Sequence, residues 1–141
     1  IEAGRAGGAE IAHGGGRPDG DGYFIEPTVV IDPEQVTPAA REEIFGPVVV
    51  VVPFADTDEA ILRANDTSYG LSSSIWTTDV ARAHAVARRL RAGRVGINVH
   101  SPGDYGFPTG GFKQSGWGRE HGPDALQPFL EDKSVFVKIP F

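Results

Sequence analysis

Short apolar runs set among glycines, then a stretch of regular apolar spacing, then a second glycine-rich segment divide this chain into three parts. In the first third, residues 10–13, 23–25 and 28–31 are β-prone and predict short strands. Gly14-Gly15-Gly16 and Arg17-Pro18-Asp19-Gly20-Asp21-Gly22 lie between them. The glycine run is followed by Pro18 and two aspartates, not by a helix, so it reads as a surface turn and not as a phosphate loop.

The middle is more regular. Five successive valines at 48–52 stand between Pro47 and Pro53, and a run apolar at every position predicts a central strand buried on both faces. Asp56 and Thr57 can accept from the free N–H groups of a first helical turn, and Asp58 and Glu59 suit its positive end. With Ala60, Ile61 and Ala64 as an apolar side, the helix runs to Asn65. Residues 71–76 predict the next strand. Asp79 then caps a helix with the apolar face Val80, Ala83, Ala87 and Leu90, which Gly93 closes as a left-handed stop. Residues 95–99 predict a third strand in this stretch. Strand and helix alternate at the lengths of two βαβ units, so the expected class is α/β, a mostly parallel sheet with covering helices.

A glycine-rich connection over 101–118 follows, then a short helix opened by Pro123 and an alternating strand at 134–139. Val135, Val137 and Ile139 share one face of that strand, with Phe136 and Lys138 on the other. A strand added at a terminus is an edge that asks for a partner.

Composition narrows the chemistry. The 141 residues carry 13 Lys+Arg against 19 Asp+Glu, a net charge of −6, and no apolar run approaches the ~18 residues of a membrane span. Arg82, Arg88, Arg89, Arg91 and Arg94 make a basic stretch, but Arg88 to Arg91 stand near a helix C-terminus and the chain is acidic, so they read as a solvated helix end and not as a nucleic-acid track. With no Cys there is no disulfide, thiolate zinc site or cysteine nucleophile. With no Met and Ile1 in first place, the expectation is a piece of a longer protein. The first eight residues lack a secretory pattern, so the expected compartment is the cytoplasm. His13, His84, His100 and His121 are scattered, so no metal site is expected. Ser72, Ser73 and Ser74 lack the G-x-S-x-G elbow.

Two segments carry more polar reach than turns require: Arg41-Glu42-Glu43-Ile44-Phe45-Gly46-Pro47, and the run from Gly110 to Glu120. With Gly22-Tyr23-Phe24-Ile25-Glu26-Pro27-Thr28-Val29, Asn65-Asp66-Thr67-Ser68-Tyr69-Gly70-Leu71 and Val95-Gly96-Ile97-Asn98, they make five separated motifs. Their order and spacing resemble the aldehyde dehydrogenase superfamily over nearly the whole chain.

The resemblance implies oxidation of an aldehyde to an acid with NAD or NADP, by way of a cysteine thiolate. By that resemblance Glu43 would hold the nicotinamide ribose hydroxyls, Phe45 would pack beside the nicotinamide, and Glu120 would stand in a water or proton relay. Asn98, Gly110 and Gly111 would shape the pocket floor. Residues 1–132 would be the C-terminal part of the family's catalytic domain, truncated at its N-terminus, and residues 133–141 would be an oligomerisation strand that joins a neighbouring subunit of a homo-oligomer.

The family's nucleophilic Cys, general-base Glu, oxyanion Asn and phosphate-binding segment lie before the matched region, so this chain alone would be inactive. Thr109 stands where an aromatic commonly precedes the paired glycines, with Phe107 as the candidate substitute wall. His100 and Gly103 stand where bulkier pocket residues are frequent. The alternative reading is a catalytically dead remnant acting as a binding or oligomerisation module.

Overall fold

The computed structural model describes residues 1–100 and 104–140, which divide into two compact units, Ile1–Thr67 and Ser68–Phe141. The first unit opens with helix α1 (Glu2–Ala6) and strand β1 (Glu10–His13), continues through β2 (Thr28–Ile31) and a one-turn helix α2 (Pro38–Arg41), and ends with β3 (Val48–Val51) and α3 (Thr57–Asn65). Its sheet has the order β1-β2-β3, with β1 antiparallel and β3 parallel to β2. Val30 in the middle strand is fully buried, and Thr28, its first residue, and Asp32, the residue just past it, are buried as well. The second unit holds β4 (Ser72–Ile75), α4 (Val80–Ala87) and β5 (Arg94–Ile97), with β4 and β5 paired in parallel from Ser72↔Arg94 to Ile75↔Ile97. A single 3-10 turn at Lys113–Ser115 and a seven-residue 3-10 helix at Pro123–Phe129, where the sequence predicts a short helix opened by Pro123, follow.

The α/β class and both aspartate caps hold. Asp56 accepts from the Glu59 N–H at 2.9 Å and Asp79 from the Arg82 N–H at 2.9 Å, so each helix begins where its first free donors find a carboxylate. Glu59 reciprocates on the Ala55 N–H at 2.7 Å and pairs with Arg63, and these two contacts hold its carboxyl below the usual glutamate value. Ile61 and Ala83 are the buried residues of α3 and α4.

Several expectations are corrected. The valine run is not a central strand: β3 lies at the edge of its sheet, and its faces alternate, Val49 and Val51 being 55% and 45% exposed. Of the alternating elements, β3 and β4 belong to different sheets, and the parallel pairs are β2–β3 and β4–β5. Residues 23–25 form no strand, and Tyr23 and Phe24 are exposed. Helix α4 ends at Ala87, before Leu90, and Val80 is exposed. Gly93 is no left-handed stop, since its φ is not positive. It is glycine because a Cβ there would collide with the carbonyl of Gly110. Residues 134–139 form no ladder with described residues of this chain, and Val135, Phe136, Val137 and Ile139 are all exposed. An edge strand at a terminus takes its ladder from a partner's hydrogen bonds, which is the pairing expected of these residues from sequence.

Candidate functional site

In the first unit, Glu43 and Phe45 stand together on the exposed connection from α2 to β3. The ring of Phe45 is 93% exposed and its backbone is left-handed, with φ +52°. A bulky residue held there is a local strain that surroundings must maintain, and such positions gather at ligand contacts. Glu43 offers an acceptor-only carboxylate to solvent beside it.

The turn ahead of this connection is tightly bonded. Asp32, buried at the end of β2, accepts from the Thr37 N–H at 2.9 Å and the Thr37 hydroxyl at 2.8 Å. Burial pushes the Asp32 carboxyl up, but these bonds and the N–H groups of Val36 and Gln35 outweigh it, and its pKa lies below the usual aspartate value. Thr37 in turn precedes the single turn of α2, whose last residue, Arg41, forks onto Asp66. The fork was not foreseen from sequence, where Arg41 stood only as the first residue of its motif.

In the second unit, a bracket of backbone brings Thr109, Gly110, Gly111 and Glu120 together. Thr109 and Glu120 exchange both backbone hydrogen bonds, each 2.7 Å long. A Cβ on Gly110 would lie 2.5 Å from the Gly118 carbonyl and 2.8 Å from the Arg119 Nη1, so only glycine lets the two limbs close. The Arg119 guanidinium donates to the carbonyls of Gly111 at 3.1 Å and Gly118 at 2.6 Å, and sits 5.5 Å from the centre of the Phe112 ring. The Glu120 side chain is exposed. The next residue, His121, packs its ring nearly perpendicular to that of Tyr105, with centroids 4.8 Å apart.

Gly70 ties two of the motifs to each other. Its N–H donates to the Ser115 hydroxyl at 2.9 Å, and its carbonyl accepts from the N–H groups of Gly93 at 3.0 Å and Phe112 at 2.9 Å. The motif ending at Leu71 and the glycine-rich run are therefore one structural feature, which spacing in sequence could not reveal.

Asn98 follows β5 with φ +53°, and both ends of its amide are used by the Thr77 peptide. The amide thereby fixes the course of the backbone just past β5. Phe107 is exposed on the loop ahead of Thr109, His100 is exposed, and Gly103 lies outside the described residues. Among the described residues there is no cluster of three or more His, Cys, Asp or Glu able to hold a metal, and no helix long and apolar enough to cross a membrane.

The sequence pattern of the aldehyde dehydrogenase family matches residues 1–135. The betaine aldehyde dehydrogenase of Brucella anthropi is 47% identical over 99% of this chain and 29% of its own length. An aldehyde dehydrogenase of Enchytraeus buchholzi is 46% identical over 99% of this chain and 28% of its own. Among solved structures, the NAD+ complex of an aldehyde dehydrogenase from Bacillus cereus superposes with a TM-score of 0.90 at 48% identity, over 99% of this chain and 28% of that one. The betaine aldehyde dehydrogenase of Staphylococcus aureus in complex with NAD+ gives 0.88 at 43% identity, over 92% and 27%. The chain thus spans less than a third of the length of these relatives.

Proposed function

Because this chain belongs to the aldehyde dehydrogenase family, we propose that it supplies the nicotinamide side and part of the substrate pocket of an NAD-dependent oxidation of an aldehyde to a carboxylic acid. NAD, when bound, supplies the hydride acceptor. The residues suit it: an acceptor-only carboxylate at Glu43 matches a pair of ribose hydroxyls, and the outward ring of Phe45 matches a flat nicotinamide. The strained, exposed Phe45 beside Glu43 is the observation that carries this reading.

The remaining roles follow from the same reading. Glu120, exposed on the bracket, takes part in a water or proton relay. Thr109, Gly110, Gly111 and Phe107 line the pocket, with Asn98 holding its floor in place. The chain contains no Cys, so the attacking thiolate belongs to a further part of the protein, and these 141 residues alone give no turnover. The proposed setting is the cytoplasm.

Exposed apolar side chains at 135–139 favour a second role in assembly. Residues 133–141 add a strand to a neighbouring copy, and loss of association on removing them is the expected result in size-exclusion chromatography. The same role would remain to a catalytically dead remnant.

The decisive experiment is Glu43→Gln in the polypeptide that carries the nucleophilic thiol. The affinity for NAD is expected to fall about tenfold or more, as for loss of a charge-assisted hydrogen bond. A KM for NAD and a rate unchanged from wild type would remove Glu43 from the cofactor site.

A further inference from the structure

Residues 42–47 are exposed throughout and form neither helix nor strand. Their ties lie at the two ends. The Glu42 N–H donates to the Pro38 carbonyl at 2.9 Å, and the Pro47 carbonyl accepts from the Thr28 N–H at 2.8 Å. The far end is therefore fixed by the sheet. The near end hangs on α2, a single turn too short to hold a direction by itself.

The start of α2 is tied to Asp32 through Thr37, and Ala39 is buried beside Gly4 of α1, while the last residue of α2, Arg41, is held by the C-terminal end of α3. Arg41 donates through Nη1 to the Asp66 carbonyl at 2.6 Å and through Nη2 to the Asp66 carboxylate at 2.8 Å. Beside it Gln35 donates to the Arg63 carbonyl at 3.1 Å, and Arg63 donates to the Pro33 carbonyl. A planar guanidinium held at two points sets an orientation as well as a distance, and a cation at a helix C-terminus is favoured. As a stabiliser an exposed ion pair counts for little. As a geometric device this one acts on the residue immediately before Glu42 and Glu43, where the chain otherwise leaves regular structure.

We infer that Arg41 is a positioning residue for the dinucleotide site: its fork on Asp66 sets the direction in which the chain enters the loop, and with it the aim of Glu43 and Phe45. The inference rests on the cofactor reading of those two residues.

The test is NAD titration together with steady-state kinetics of the thiol-bearing polypeptide as wild type, Arg41→Ala, Arg41→Lys, Asp66→Ala, the double variant and Glu43→Gln. Arg41→Ala is expected to weaken NAD binding about fivefold, with kcat at saturating NAD unchanged. Arg41→Lys keeps the charge without the fork and recovers part of the loss. Asp66→Ala keeps the carbonyl half and loses less, and the double variant is no worse than Arg41→Ala alone. If Arg41→Ala does not fold, Arg41→Lys and Asp66→Ala still carry the test. NAD affinity unchanged in the Arg41 and Asp66 variants, with Glu43→Gln impaired, overturns the inference and leaves the cofactor reading standing. A silent Glu43→Gln overturns the reading and the inference with it. A fall in kcat and thermal midpoint without change in NAD affinity also overturns the inference, since it describes a structural residue.

Discussion

Asn98 returns both ends of its side-chain amide to the peptide of Thr77: Oδ1 accepts from the Thr77 N–H and Nδ2 donates to the Thr77 carbonyl, each at 2.9 Å. With the Asn98 N–H bonded to the Ile75 carbonyl at 2.8 Å, the amide continues the β4–β5 pairing past the last strand residues. Asparagine also tolerates the left-handed backbone, φ +53°, that this arrangement requires.

Two substitutions separate these contributions. Asn98→Gly loses the amide bonds but keeps the backbone conformation open, and Asn98→Ala loses the bonds and adds strain. The expected losses in denaturant unfolding are about 1–2 kcal/mol for Gly and about 1 kcal/mol more for Ala. An Ala variant as stable as wild type would mean that the Thr77 bonds carry nothing.

Asp32 gives the chain a local response to acid. Its folded pKa is depressed, so its stabilisation is fully present above the unfolded value of ~3.9 and is lost as pH falls through the lower folded value. The protection of amides 32–37 against hydrogen exchange, taken relative to the intrinsic rate at each pH, is expected to fall below about pH 4 in wild type. In Asp32→Asn, which cannot carry the charge, exchange is expected to be faster already at neutral pH and to lack that acid step. An identical acid profile in both proteins would count against the Thr37 contacts as its origin.

At Gly93 the obstacle is backbone. Gly93→Ala places its methyl group on the Gly110 carbonyl, which cannot rotate away, so the expected loss is at the upper end of overpacking, about 3 kcal/mol. A thermal midpoint close to wild type would show that the Gly110 turn yields easily.

Much of this was legible in the chain itself. The starts of α3 and α4 could be read because a cap is a local device: Asp56 and Asp79 act on donors three residues away. The family could be read because five short motifs keep their order. The edge position of β3 could not, because an all-valine run reports only that neighbours are apolar, and which side a neighbour occupies is a tertiary matter. Helix α2 was missed because one turn has no period to detect, and the Arg41–Asp66 fork because its partners are 25 residues apart. Gly93 shows a further limit, since a glycine kept for its φ and one kept for close approach look the same in sequence.

The contact between Gly93 and Gly110 has a consequence for how such a sequence can drift. When two side chains crowd each other, a larger residue on one side is commonly accommodated by a smaller one opposite. Here the opposing atom is a carbonyl oxygen, which every amino acid carries, so no replacement at residue 110 makes room for a side chain at residue 93. Reversion, or a displacement of the whole segment, is the remaining route of escape, and the position should resist change even in a background selected for suppressors.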